Sequence, residues 1–166
     1  MKTRIRLGGG QQSIVDLPNK TKGVQPADVY TMMVYGSYGI GKSTFASKAP
    51  KALFISTDGG LKFLDVYAEP CSDWDKFRGI VATLESKRGG GFKTLVVDTA
   101  DNALLQCQRW TCDKLGIDHP SDEDWGKGYE ALRGEFVAQI TKLALLEVRL
   151  IFVSQERTAE VRGRVL

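Results

Sequence analysis

Two hydrophobic rhythms alternate along the chain. Short continuous apolar runs recur at residues 30–35, 53–55, 95–97 and 149–154. Their length and lack of alternation predict strands covered on both faces. Between them, apolar residues fall at helical spacing. Trp74, Phe77, Val81 and Leu84 predict a helix over residues 74–86, with Ser72 or Asp73 as its cap. Tyr129, Leu132, Phe136, Ile140 and Leu143 form the clearest stripe. Further helices are predicted at residues 43–49, halted by Pro50, and at 102–115. Residues 116–128 are polar and turn-rich, the longest internal loop. Strands alternating with helices predict a parallel α/β sheet joined by right-handed crossovers. Ligands of such sheets lie at the carboxyl ends of the strands, here Gly36, Asp58, Asp98 and Gln155.

Residues 1–28 show no sustained period and are punctuated by Gly8, Gly9, Gly10, Pro18 and Pro26. They predict an irregular lead-in, with a short strand at residues 4–7, ahead of one folded domain at 29–166. The length of 166 residues and 42% hydrophobic content support a single core. A net charge of +3 is compatible with a nucleic-acid partner without demanding one. No run approaches the ~18 apolar residues of a membrane span. Lys2, Arg4 and Arg6 precede no apolar signal core, so a cytoplasmic location is expected. The three cysteines, Cys71, Cys107 and Cys112, contain no C-x-x-C and match no zinc spacing with His119. Ordinary reduced thiols are the expectation.

One stretch changes this picture. Gly36-Ser37-Tyr38-Gly39-Ile40-Gly41-Lys42-Ser43 fits the P-loop pattern G-x-x-x-x-G-K-[ST] between a predicted strand and a predicted helix. Its glycines permit a turn in which successive backbone N–H groups face one concave nest, and a helix N-terminus adds partial positive charge. Lys42 supplies a point charge for the β- and γ-phosphates, and the Ser43 hydroxyl suits Mg²⁺. These eight residues and Thr44 are the candidate phosphate-binding set. Asp98 closes an apolar strand downstream, the Walker B placement of a Mg²⁺-holding carboxylate, with the Thr99 hydroxyl beside it. Outside that context an Asp at a strand end is a turn or cap residue. Asp58, before Gly59-Gly60, is the candidate for orienting or deprotonating water, or else a turn carboxylate. Gln155 has both donor and acceptor groups with which to report a γ-phosphate, or else is a surface glutamine.

Taken together, the strand ends resemble the RecA-like branch of P-loop ATPases. Phe54-Ile55-Ser56-Thr57-Asp58 resembles the segment ending in that branch's catalytic glutamate. Leu95-Val96-Val97-Asp98-Thr99 resembles its Walker B strand, and Ile151-Phe152-Val153-Ser154-Gln155 resembles the strand ending in its sensor glutamine. Tyr35-Gly36, Asp58-Gly59-Gly60, Asp98-Thr99, His119-Pro120-Ser121-Asp122 and Trp125-Gly126-Lys127-Gly128-Tyr129 are similar to the phage-encoded AAA-type ATP-binding family, which includes small single-domain RecA-like recombination ATPases. The resemblance implies a RecA-like core whose fourth predicted strand lies beside the first, in the order 1-4-3-2. It implies ATP and Mg²⁺ as ligands, with hydrolysis coupled to single-stranded DNA binding, annealing or recombination in a phage or prophage. Other copies of the chain, or phage recombination or replication proteins, are implied partners, and no membrane is.

Two departures stand out. Asp58 replaces a glutamate with a carboxylate one methylene shorter, which points to slow hydrolysis. The chain also stops eleven residues after Gln155, so it is either truncated or a minimal domain without the fold's further C-terminal strands. Arg157, Arg162 and Arg164 are the nucleic-acid candidates in this tail, against a solvated tail as the alternative. A nucleotide-gated interaction module with negligible turnover, of helicase-loader type, is the competing function. A small-molecule kinase is a third, for which no basic lid segment is evident.

Overall fold

A computed structural model of the chain describes residues 30–156 and the strands at 160–161 and 164–165. The predicted lead-in and its strand at residues 4–7 lie outside the described residues. The elements in chain order are β1 (Met32–Gly36), α1 (Lys42–Ala46), β2 (Ala52–Ser56), β3 (Tyr67–Pro70), α2 (Trp74–Ser86), β4 (Thr94–Asp98), α3 (Ala100–Leu115), α4 (Lys127–Ala144), β5 (Arg149–Gln155), β6 (Glu160–Val161) and β7 (Arg164–Val165). The first five strands form one sheet in the order β1-β5-β4-β2-β3, every pairing parallel. This is the order the resemblance implied, extended by one strand. β6 and β7 pair as a separate antiparallel ribbon.

β4 lies at the centre of the sheet, and all five of its residues are buried. Its two faces serve two cores. Leu95 and Val97 join Ile55, Leu150 and the apolar faces of α2, α3 and α4. Val96 joins Phe54, Ile151, Val153 and Ala46 of α1 on the opposite side. Three helices thus cover one face, and α1 with the following loop covers part of the other. Trp74 anchors the three-helix side. It stacks on Phe77 at 4.6 Å and on Phe136 at 5.7 Å between ring centroids. Such pairs are each worth about 0.5–1.5 kcal/mol beyond area burial. The Trp74 indole N–H donates to Glu135 Oε1 at 3.0 Å, so burial leaves no orphan donor. α2 starts as expected, with the Asp73 carboxylate accepting from the Lys76 N–H at 2.8 Å.

Three predicted elements change and β3 is new; β1, predicted to be covered on both faces, is an edge strand with Met33 and Tyr35 exposed. α1 is a five-residue helix, not the seven-residue one predicted, because its turns loosen at Ser47 well before Pro50. β2 ends at Ser56, so Asp58 belongs to the loop and not to the strand end. β3 was not anticipated. It is an edge strand that ends in Pro70, where the missing N–H is tolerated, and Tyr67, Ala68 and Pro70 are exposed.

The long loop at 116–126 is more ordered than its composition predicts. It contains 3-10 turns at Pro120–Asp122 and Asp124–Gly126. His119 caps the first, while the Asp122 carboxylate accepts from the His119 N–H at 2.7 Å. Gly128, in the first turn of α4, lies against the Pro120 backbone, and a Cβ there would fall on the Pro120 carbonyl oxygen. Alanine improves helix propensity by about 1 kcal/mol over glycine, yet a backbone clash in a packed site costs about 1–3 kcal/mol. Gly128→Ala is therefore expected to lower the urea midpoint of unfolding; an unchanged or raised midpoint would show that the loop does not press on α4.

Candidate functional site

The parallel register brings the phosphate-loop strand, the acidic strand and the glutamine strand to a common edge. Gly36 of β1 pairs with Gln155 of β5, and Asp98 of β4 pairs with Val153 of β5. The loops leaving this edge enclose a cleft of about 280 Å³. Tyr38, Gly39, Gly41, Lys42, Ser43 and Thr44 line it. So do Asp58, Asp98, Thr99 and Gln155, with Phe63 and Leu64 as apolar neighbours. Gly36, Ser37 and Ile40, also in the predicted phosphate-binding set, do not line it. The three strand-end side chains singled out in the sequence are thus brought to one cavity.

The loop has the shape its glycines predict. Gly39 and Gly41 have φ of 80° and 92°, in the left-handed region. A Cβ at either would meet no atom within 4 Å, so backbone conformation and not crowding requires glycine here. Because α1 has only five residues, phosphate-binding capacity rests on the loop amides and Lys42 more than on a macrodipole. The Lys42 side chain runs inward, and its ammonium donates to the Gly36 and Ser37 carbonyls at 2.8 and 2.9 Å. One of its three N–H donors remains for a ligand.

Asp98 is only 2% exposed, and the Ser43 hydroxyl lies beside its carboxylate. Burial pushes the Asp98 carboxyl above the ordinary aspartate range. The Ser43 hydroxyl opposes this rise, the neighbouring Asp58 charge adds to it, and Lys42 opposes it. Asp58 is exposed at the cleft wall, and its Oδ1 accepts from the Gly60 N–H at 2.9 Å. It therefore lines the cleft while serving as a turn carboxylate.

Thr57 and Asp101 were missed. The Thr57 N–H donates to the Asp98 carbonyl at 2.8 Å. Its hydroxyl donates to the Thr99 carbonyl at 2.9 Å and accepts from the Thr99 N–H at 2.8 Å. β2 is thereby fastened to the Asp98–Thr99 peptide, which is cis. The Thr99 hydroxyl caps α3 by accepting from the Asn102 N–H at 3.4 Å, so its place is at the helix start. Asp101, in the first turn of α3, reaches the end of β5. The only local signals for these residues are a hydroxyl and a carboxylate beside strand ends, which turns share. Arg157 and Arg162 lie outside the described residues, and of Arg164 only its place in β7 is described. Cys71, Cys107 and Cys112 are buried and free. Among the described residues no helix is long and apolar enough to cross a membrane.

A family model described as an AAA domain matches residues 28–164. The chain belongs to that AAA-domain family. Its fold is RecA-like: the crystal structure of the RadB recombinase superposes with a TM-score of 0.50 at 19% identity, covering 77% of this chain and 62% of the other. Among curated proteins, the chain is 24% identical over 137 residues to the SPbeta prophage-derived uncharacterized protein YorG of Bacillus subtilis (strain 168). That match takes in 80% of this chain and 42% of the relative, so the chain spans less than half the relative's length.

Burial disfavours the ionised form of Asp98 in the folded AAA domain relative to the unfolded chain. Because its folded pKa is raised, its stabilising contribution is complete below the ordinary carboxylate pKa and is lost as pH rises through the folded value. Asp98→Asn, neutral and nearly isosteric, is expected to melt above the wild type at pH 7 without nucleotide. The two melting curves should converge as pH falls into the ordinary carboxylate range. A lower melting temperature for the variant at pH 7 would mean that the carboxylate stabilises the nucleotide-free fold.

Proposed function

We propose that this chain binds ATP with Mg²⁺ in the cleft and hydrolyses it slowly, using nucleotide state to control single-stranded DNA binding in phage recombination or annealing. The observation that carries the reading is the convergence of Lys42, the Ser43–Asp98 pair, Asp58 and Gln155 on one cavity at the sheet's carboxyl edge. The loop amides and the remaining Lys42 N–H receive the phosphate oxygens. Ser43 and Asp98 form an oxygen-only donor pair, which fits a hard cation held by one carboxylate, a hydroxyl and substrate phosphates. They would hold Mg²⁺, which when bound neutralises charge on the transferring phosphate. Asp58 orients or deprotonates the attacking water, and Gln155 senses the γ-phosphate. The similar proteins, a recombinase and a prophage-derived protein, support the DNA-directed part of the reading. Arg157, Arg162 and Arg164 are its phosphate contacts on the nucleic acid, and other copies of the chain are its further partners.

One observation favours the second reading, a nucleotide-gated interaction module with negligible turnover. Asp58 Oδ1 is already engaged by the Gly60 N–H, on a side chain too short to reach far.

Two variants separate binding from chemistry. Lys42→Ala should weaken ATP binding about 100-fold, the loss of charge-assisted hydrogen bonds to phosphate, as measured by calorimetry with a non-hydrolysable analogue. Retained affinity would remove the cleft from consideration. Asp58→Asn should keep that affinity and lower phosphate release about 100-fold or more. Release is measured with and without single-stranded DNA. Wild-type release at background in both conditions would favour the interaction module, and equal release by wild type and variant would take Asp58 out of the mechanism.

A further inference from the structure

β5 runs past its partner. Its pairing with β4 ends at Val153, opposite Asp98, because β4 there turns into α3. The N–H of Gln155 on that side has no strand to bond. Asp101, in the first turn of α3, takes the place of the missing strand. One carboxylate oxygen accepts from the Ser154 hydroxyl at 3.1 Å and the other from the Gln155 N–H at 2.9 Å. On the opposite side the phosphate loop holds the next residue. The Glu156 N–H donates to the Gly36 carbonyl at 3.0 Å, and the Ser37 hydroxyl donates to the Glu156 carboxylate at 2.7 Å. The Gly36 carbonyl is also one of the two that receive the Lys42 ammonium. Residues 154–156 are therefore gripped from α3 on one flank and from the phosphate loop on the other.

We propose that Asp101 is a positioning residue: its carboxylate fixes the carboxyl end of β5 so that Gln155 presents its amide to the cleft. This rests on the cleft being a nucleotide site with Gln155 as its γ-phosphate sensor. The geometry argues against a mere helix-start charge. An acidic residue in a first turn needs only to lie near the free N–H groups of its own helix. Asp101 instead places both oxygens on residues 53 and 54 positions away. Hydrogen bonds to a carboxylate are stronger than neutral ones, so the peptide before Gln155 cannot rotate freely while both are made. Rotation there would swing the Gln155 side chain relative to Lys42 and Ser43, which line the same cleft.

The test compares affinity for a non-hydrolysable ATP analogue with affinity for ADP. Asp101→Ala is expected to lower the wild-type preference for the triphosphate about tenfold, the effect of losing a charge-assisted bond. Asp101→Asn, which keeps one acceptor oxygen, should recover part of it. A helix-start role alone would lower the melting temperature and leave the preference unchanged, and that result overturns the proposal. Should Asp101→Ala fail to fold, Ser154→Ala removes one of the two bonds. A smaller loss of preference supports the proposal, and none overturns it.

Amide exchange at Gln155 in nucleotide-free protein separates this inference from the reading beneath it. If wild type binds neither nucleotide, the sensor reading fails. Faster Gln155 exchange in the Asp101 variant then still supports the positioning, and unchanged exchange overturns it.

Discussion

The approach of Ser43 to Asp98 joins parts of the chain that the sheet keeps apart. β1 and β4 are not neighbours, since β5 lies between them. The phosphate loop must cross the end of β5 for its serine to meet the acidic strand. That meeting requires the three strands to end within two residues of one another, which the register of Gly36 on Gln155 and Asp98 on Val153 provides. The register is in turn held by burial of β4 on both faces. Fully burying each of Leu95, Val96 and Val97 is worth about 1.5–3 kcal/mol, and a slip of one residue would exchange the two faces. The site's position thus rests on core packing several residues from its chemistry.

Much of this was legible in the sequence because it rests on local pattern. The uninterrupted apolar runs at β2, β4 and β5 marked the buried strands. The stripe of Trp74, Phe77, Val81 and Leu84 marked α2, and all four are buried. The glycine and lysine spacing marked the loop. β3 was not legible because it carries almost no burial contrast: of its four residues only Glu69 is partly covered. With so little of it covered, β3 carries no apolar pattern of the kind that identifies a strand. Thr57 and Asp101 were missed for a different reason. Their partners lie 42 and 53 or more residues away, and a single polar residue beside a strand end carries no sign of a distant acceptor.

Asp58 shows where a local pattern misleads by a short distance. The run through Phe54 and Ile55 was read as reaching Asp58, but the strand stops at Ser56, where the chain turns. Thr57 then ties the turn to the cis peptide, and Asp58 closes the next turn through Gly60. The carboxylate still reaches the cleft wall, but as part of a loop braced from behind. The bracing at Thr57 and at Asp101 comes from opposite sides of β4 and converges on the same edge.

The two carbonyl contacts of Lys42 bear on when the chain loses conformational freedom. A lysine side chain carries about 2 kcal/mol of rotamer entropy. Here its ammonium is already immobilised by Gly36 and Ser37 before any phosphate arrives. That entropy is surrendered when the domain folds, not when it meets a ligand, so the loss is charged against the fold's stability and spared from the affinity. The same two bonds give the loop carbonyls a cationic partner in the folded domain. The loop is therefore a rigid cradle whose electrostatic balance does not wait for its occupant.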